Sequence, residues 1–174
     1  GSMSAEGAQK TSRFIRLCDT FRIPIVSLVD EPGFLIGPDA ERAGTILHGT
    51  EAVLATTESK VPWTTIMIRK SFGVAAAAHY GPDGYVLAWP SAESGPLPLE
   101  GGVAVAFKKE IASAKNPEAK RKELEEKMAK NQSPFPRAEA FSVHEIIDPR
   151  ETRKYIALWA ERIQSQLKAS LMNR

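Results

Sequence analysis

The chain has 174 residues, 43% of them hydrophobic, enough for one well-buried domain and too short for two. Its 23 basic and 21 acidic side chains leave a formal net charge of +2, which gives no argument for a nucleic acid or an anionic membrane as partner. A single cysteine, Cys18, excludes an internal disulfide and a cysteine metal cluster, as suits a reducing compartment, and no apolar run is long enough to span a bilayer.

Gly1-Ser2-Met3 reads as a remnant of expression cloning, so the domain is taken as residues 4–174. Residues 4–22 carry Phe14, Ile15, Leu17, Cys18 and Phe21 at helical spacing and predict an amphipathic helix ending before Pro24. Ile23 to Val29 is a near-continuous apolar run, the pattern of a strand covered on both faces. Asp30 closes it, and a loop follows with its turn at Pro32-Gly33. Asp39 is the expected N-cap of one long helix over residues 40–58, in which Gly44 and Gly49 admit a close neighbour.

Residues 63–80, WTTIMIRKSFGVAAAAHY, combine a buried strand, the basic pair Arg69 and Lys70, a turn at Gly73 and an alanine-rich helix. A glycine turn into a helix leaves backbone N–H groups free, able to hold a carbonyl oxygen or a developing oxyanion. The same pattern also serves ordinary strand–helix packing. A third strand is expected in YVLAWP, then a loop over residues 91–98, a helix over 99–114 and a charged, solvated helix over 115–130. Ser133 to Pro136 breaks the chain. A helical turn and a short strand near Ile146-Ile147 precede a final helix from Glu151 to Met172, with Tyr155, Ile156, Leu158, Trp159, Ile163 and Leu167 as its buried stripe. Strands separated by helical crossovers predict an α/β fold with a parallel sheet. There is no G-x-G-x-x-G after a strand, no P-loop, no H-E-x-x-H and no G-x-S-x-G.

Four stretches in this order, RFIRLCDTFRIPIVSLVDEPGFLIG, VPWTTIMIRKSFGVAAAAHYG, YVLAWPSAE and EIIDPRETR, resemble the biotin-dependent acyl-CoA carboxyltransferases over nearly all of residues 10–165. The resemblance implies a crotonase-like (ClpP/crotonase) spiral of ββα units, and it matches only the C-terminal of that family's two tandem domains. It implies acyl-CoA as substrate, biotin on a partner carboxyl carrier domain as cofactor, no metal, an N-terminal carboxyltransferase domain as partner, and a homo-oligomer. The location it implies is the cytoplasm, or the mitochondrial matrix in a eukaryote.

Residue by residue, the family's Gly-Gly-Ala turn falls on Gly73, Val74 and Ala75, whose second and third N–H groups would hold the biotin ureido oxygen. Val74 departs from that pattern; it keeps the N–H but adds a branched side chain. The D-x-P-G-F-x-x-G loop falls on residues 30–37 and carries Pro32, Gly33 and Phe34 beside the biotin site, although Phe34 also reads as a core anchor. Ala77 stands where the family varies with acyl chain. Arg69 and Lys70 either balance the charge of carboxybiotin or CoA phosphates, or pair with local carboxylates. Glu31 has no assigned role. His48 and His79 have no partners at metal-ligand spacing; either could serve as a general base, though His79 at a helix C-terminus suits the dipole there, and His144 reads as a surface residue. Other readings are a crotonase-like acyl-CoA hydratase or isomerase, and a non-catalytic assembly module of a carboxylase complex. The fragment alone is expected to be inactive.

Overall fold

The computed structural model describes residues 1–172, apart from the side chains of Glu100 and residues 170–172. Ser4 caps the first helix, α1 (Ala5–Phe21), accepting from the Gly7 N–H at 3.2 Å. Arg22 turns left-handed (φ 56°) and closes it, and Ile23 N–H reaches back to the Cys18 carbonyl at 2.8 Å. Only Ile15 and Cys18 of the expected stripe are buried, in a core with Ile25, Ala55, Val61 and Trp63. Phe14, Leu17 and Phe21 face outward, 51–66% exposed. The helix uses its small residues, Ala5, Ala8 and Ser12, to lie close against its neighbour instead.

Strand β1 (Ile25–Glu31) alternates in burial rather than being covered on both faces; Val26 and Leu28 are exposed. The crossover expected as one helix is two, α2 (Pro38–Arg42) and α3 (Thr45–Glu58), broken at Gly44. Asp39 is therefore not an N-cap: it lies inside α2 and pairs with Arg42. Strand β2 (Trp63–Phe72) runs well past TTIMI and takes in Arg69 and Lys70. The alanine helix shrinks to little more than one turn, α4 (Gly73–Ala77). Strand β3 (Tyr85–Ala88) is as expected, and β4 (Glu93–Gly95) forms where a loop was expected.

The helix expected over 99–114 is split at Phe107 into α5 (Leu99–Ala106) and α6 (Lys108–Ser113). Helix α7 (Pro117–Gln132), capped by Asn116, anchors through Leu124 and Gln132. Ser133-Pro134, read as a break, opens α8 (Pro134–Glu139), because proline fits a first helical turn. Strand β5 (Glu145–Ile146), a 3₁₀ turn at Pro149–Glu151, α9 (Thr152–Arg162) and α10 (Gln164–Met172) follow. Trp159 and Ile163 of the final stripe are buried, whereas Leu158 is 40% exposed.

Every strand pairing is parallel, in the order β1-β2-β3-β5, with β4 beside the far end of β2. Two strands thus share one edge of β2: β3 along Thr64–Met67 and β4 along Lys70–Phe72. The C-terminal ends of β1, β2 and β4 are thereby gathered at one end of the sheet.

Candidate active site

At that end the chain leaves each strand in a different way. β1 passes into Pro32-Gly33-Phe34, β2 into α4, and β4 into Pro96-Leu97-Pro98 and α5. Together they enclose a cavity of about 640 Å³. Five of the residues singled out in the sequence, Pro32, Gly33, Phe34, Gly73 and Val74, line it. Clefts at the carboxyl ends of parallel strands are where open α/β sheets ordinarily bind ligands.

The turn into α4 depends on Gly73. Its φ of 64° is left-handed, and an added Cβ would lie 3.5 Å from the Pro96 carbonyl oxygen. Phe72, at the N-cap position, offers no side-chain acceptor. The N–H groups of Val74 and Ala75, in the first turn, are paired with no acceptor among the described residues. The Val74 side chain is 66% exposed at the cavity wall, whereas Ala75 is fully buried with Ala8, Ala52 and Ala78. Ala75 therefore has only its main chain to offer.

Phe34 is both a wall and a packing residue. Its ring lies on Gly49 so closely that a Cβ there would fall 2.3 Å from the ring, and it packs against the cluster that holds Ala75. Met3 is built into the same region: it is buried, its N–H donates to the Gly33 carbonyl at 3.0 Å, and it bridges to Phe34.

Arg69, Ala75 and Ala77 lie outside the cavity lining. Arg69 Nε donates to both oxygens of Asp30 at 3.0 and 3.1 Å, and Asp30 also accepts from the Lys70 N–H at 3.2 Å. The pairing register jumps here, from Val29 opposite Met67 to Glu31 opposite Ser71, so Asp30 fastens the extra residues of β2. The Arg69 guanidinium holds the Asp30 carboxyl below its ordinary value.

Glu31, without a role in the sequence, is a buried carboxylate with one. Its Oε1 accepts from the Met3 N–H (3.2 Å) and the Gly33 N–H (3.0 Å). Burial raises its pKa, and the two backbone donors work against that rise. A charged residue closing a strand gives no sign in sequence that it will turn inward. The wall formed by Pro96, Leu97 and Val105 was also missed, because the Gly/Pro-rich segment reads simply as a loop.

The histidines lie elsewhere. His48 bridges Glu51 and Gln9. His79 is mostly buried, with Nδ1 3.1 Å from Ser27 Oγ and Nε2 without a partner. Burial lowers its pKa, so it is neutral at pH 7 and does not act as a charge on the helix dipole. His144, exposed as expected, accepts from the Val86 N–H at 3.0 Å. Among the described residues no three His, Cys, Asp or Glu side chains gather as a metal site.

The cavity's chemistry follows from its walls. Among its described lining residues none has a titratable side chain, and Thr50 supplies the one hydroxyl. Such a site can desolvate a neutral, largely apolar group and polarise it with backbone donors. Its described lining side chains supply no acid, base or nucleophile beyond that hydroxyl.

The parallel sheet and the cleft at its carboxyl end make this an open α/β domain, and the solved structures on which it superposes are carboxyltransferases of crotonase-like fold. In a solved transcarboxylase 12S structure, described as a hexamer assembly with methylmalonyl-coenzyme A bound, the matching region superposes with a TM-score of 0.86 at 37% identity. The match covers 94% of this chain and 32% of that one. Residues 1–173 match the carboxyl transferase domain, and the chain belongs to that family. It is 37% identical over 174 residues to the carboxyltransferase subunit of propionyl-CoA carboxylase from Haloferax mediterranei, covering 97% of this chain and 34% of that protein. It is 39% identical over 161 residues to the methylmalonyl-CoA carboxyltransferase 12S subunit of Propionibacterium freudenreichii subsp. shermanii, covering 90% and 31%. The chain thus spans about a third of the length of these relatives.

Proposed function

We propose that this chain is the C-terminal domain of a biotin-dependent acyl-CoA carboxyltransferase, which moves a carboxyl group between biotin on a carrier domain and an acyl-CoA. The observation that carries the reading is the pair of unclaimed N–H groups on Val74 and Ala75, beside an apolar cavity without titratable walls. Biotin's ring system is uncharged and largely apolar, with one strongly accepting ureido oxygen, and the cavity suits both properties. Bound there, it would supply the nitrogen that gives up or receives the carboxyl group.

The chain's own part is positioning and polarisation. The Val74 and Ala75 N–H groups donate to the ureido oxygen and favour the negative charge that gathers on it during transfer. Loss of one such donor typically costs about 10²–10³ in rate. Gly73 aims the turn, Pro32, Gly33 and Phe34 form the facing wall, and the apolar lining keeps water from the reacting centre. Val74 adds bulk at the mouth and restricts how deeply the ring enters. Ala77 leaves room on the acyl side, and Arg69 contributes positive charge beside the anionic groups of substrate while held by Asp30. No metal takes part.

The acyl-CoA is held chiefly by an N-terminal carboxyltransferase domain, and the active site is completed by a second subunit in a homo-oligomer. The exposed apolar side chains of Phe14, Leu17 and Phe21 on α1 and of Val26 and Leu28 on β1 support burial against another chain. That same face favours a contribution to assembly within a carboxylase complex. The resemblance to carboxylase subunits favours the cytoplasm, or the mitochondrial matrix of a eukaryote, as its location. Separately, no helix among the described residues is long and apolar enough to cross a membrane.

The test is to mix the isolated domain with methylmalonyl-CoA and free biotin, then repeat with the N-terminal domain added. We expect negligible decarboxylation alone and turnover on reconstitution. Robust turnover by this chain alone, or none after reconstitution with a folded partner domain, would refute the reading.

A further inference from the structure

A second cavity, of about 390 Å³, lies at the opposite end of the sheet, where β2 begins at Trp63 and β3 at Tyr85. Its size is in the range of small-molecule sites. The buried side chains of Trp63, Trp159 and Ile163 form apolar wall, with Pro62 and Pro82 at the sides. Three charged residues also line it: Arg22, Lys60 and Asp83.

The cations are notable for what they lack. Arg22 and Lys60 make no ion pair among the described residues. The Arg22 Nε is out of reach of solvent and has no acceptor. The rest of the guanidinium, together with the Lys60 ammonium, supplies the charge-assisted donors that an anion in the cavity would take. With two positive charges against one negative, the lining carries a single excess positive charge.

We propose that this cavity binds a small organic monoanion: an apolar body against Trp63 and Trp159, with one acidic head group on Arg22 and Lys60. Asp83 disfavours a dianion. The site is separate from the cavity bounded by Gly73 and Val74, and the proposal does not rest on the carboxyltransferase reading.

Benzoate is the probe, with benzamide as its uncharged counterpart. Benzoate should bind saturably by calorimetry and shift the indole N–H resonances of Trp63 and Trp159. Trp89, whose indole N–H donates to Thr152 Oγ1 at 2.9 Å in a different part of the core, should stay in place. Benzamide should bind at least tenfold more weakly. Lys60→Gln should weaken benzoate about tenfold, the loss expected for a charge-assisted contact. It leaves intact the backbone N–H that Lys60 donates to Asp19. Arg22→Asn should do at least as much, since asparagine tolerates the left-handed backbone at this position. If that variant does not fold, Lys60→Gln decides. Equal binding of benzoate and benzamide, movement of Trp89 rather than Trp63 and Trp159, or wild-type affinity in Lys60→Gln would overturn the proposal.

Discussion

Glu31 turns back into the fold and accepts the Gly33 N–H at 3.0 Å, so a buried carboxylate holds the loop that walls the candidate site. The same oxygen holds Met3, tying the first residues of the chain to that loop. The arrangement has a consequence for stability against pH. Burial raises the folded pKa of Glu31, so its contribution is fully present below the unfolded value and is lost as pH rises through the raised one. Glu31→Gln keeps an acceptor for both N–H groups and never has to bury a charge. Its melting temperature relative to wild type should therefore be more favourable at pH 7 than at pH 4, by thermal denaturation. The opposite trend would mean that the two backbone donors outweigh burial.

Asp30 behaves in the opposite sense. Arg69 lowers its folded pKa, so the stability it contributes is present above the unfolded value and is lost as pH falls through the depressed one. Arg69→Ala should raise the Asp30 pKa, read from carboxyl NMR shifts. The cost in stability should be only about 0.2–1 kcal/mol, because both side chains are partly solvated. An unchanged Asp30 pKa would show that the Lys70 N–H, not Arg69, sets it.

Gly49 and Phe34 form a pair testable by a double-mutant cycle. In the wild-type background Gly49→Ala forces the Phe34 ring away, at about 1–3 kcal/mol, against the roughly 1 kcal/mol that alanine gains in a helix. With Phe34→Ala already present the same change should stabilise, since only the helix gain remains. Additive effects in denaturant titrations would show that ring and helix are not in contact.

Gly73→Ala places a side chain at φ 64° and should cost about 1–2 kcal/mol through backbone strain. It should also disturb the amide resonances of Val74 and Ala75 more than those of β1. A variant as stable as wild type would mean that the turn relaxes freely.

Sequence reasoning reached the parallel sheet because β-branched runs such as TTIMI have few alternatives once buried. The grouping of Pro32, Gly33, Phe34, Gly73 and Val74 beside one site came from the family resemblance, and all five line one cavity. Sequence reasoning misplaced the faces of α1 and β1, because apolar spacing reports what can be buried, not what is buried within one chain. Phe14, Leu17, Val26 and Leu28 match a core pattern and are exposed. Helix breaks at Gly44 and Phe107 were missed since periodicity continues across them. Arg69, Ala75 and Ala77 fell outside the cavity lining, as neighbours in sequence to a turn need not share its wall.

On the proposed reading, two backbone donors after Gly73 grip the ureido oxygen of biotin. The most direct measurement is a ¹H–¹⁵N titration of the labelled domain with free biotin. Saturable downfield movement of the Val74 and Ala75 amide protons is expected, with smaller changes at Gly33 and Phe34. Biotin binding that shifts other regions while the Val74 and Ala75 amides stay in place would contradict it.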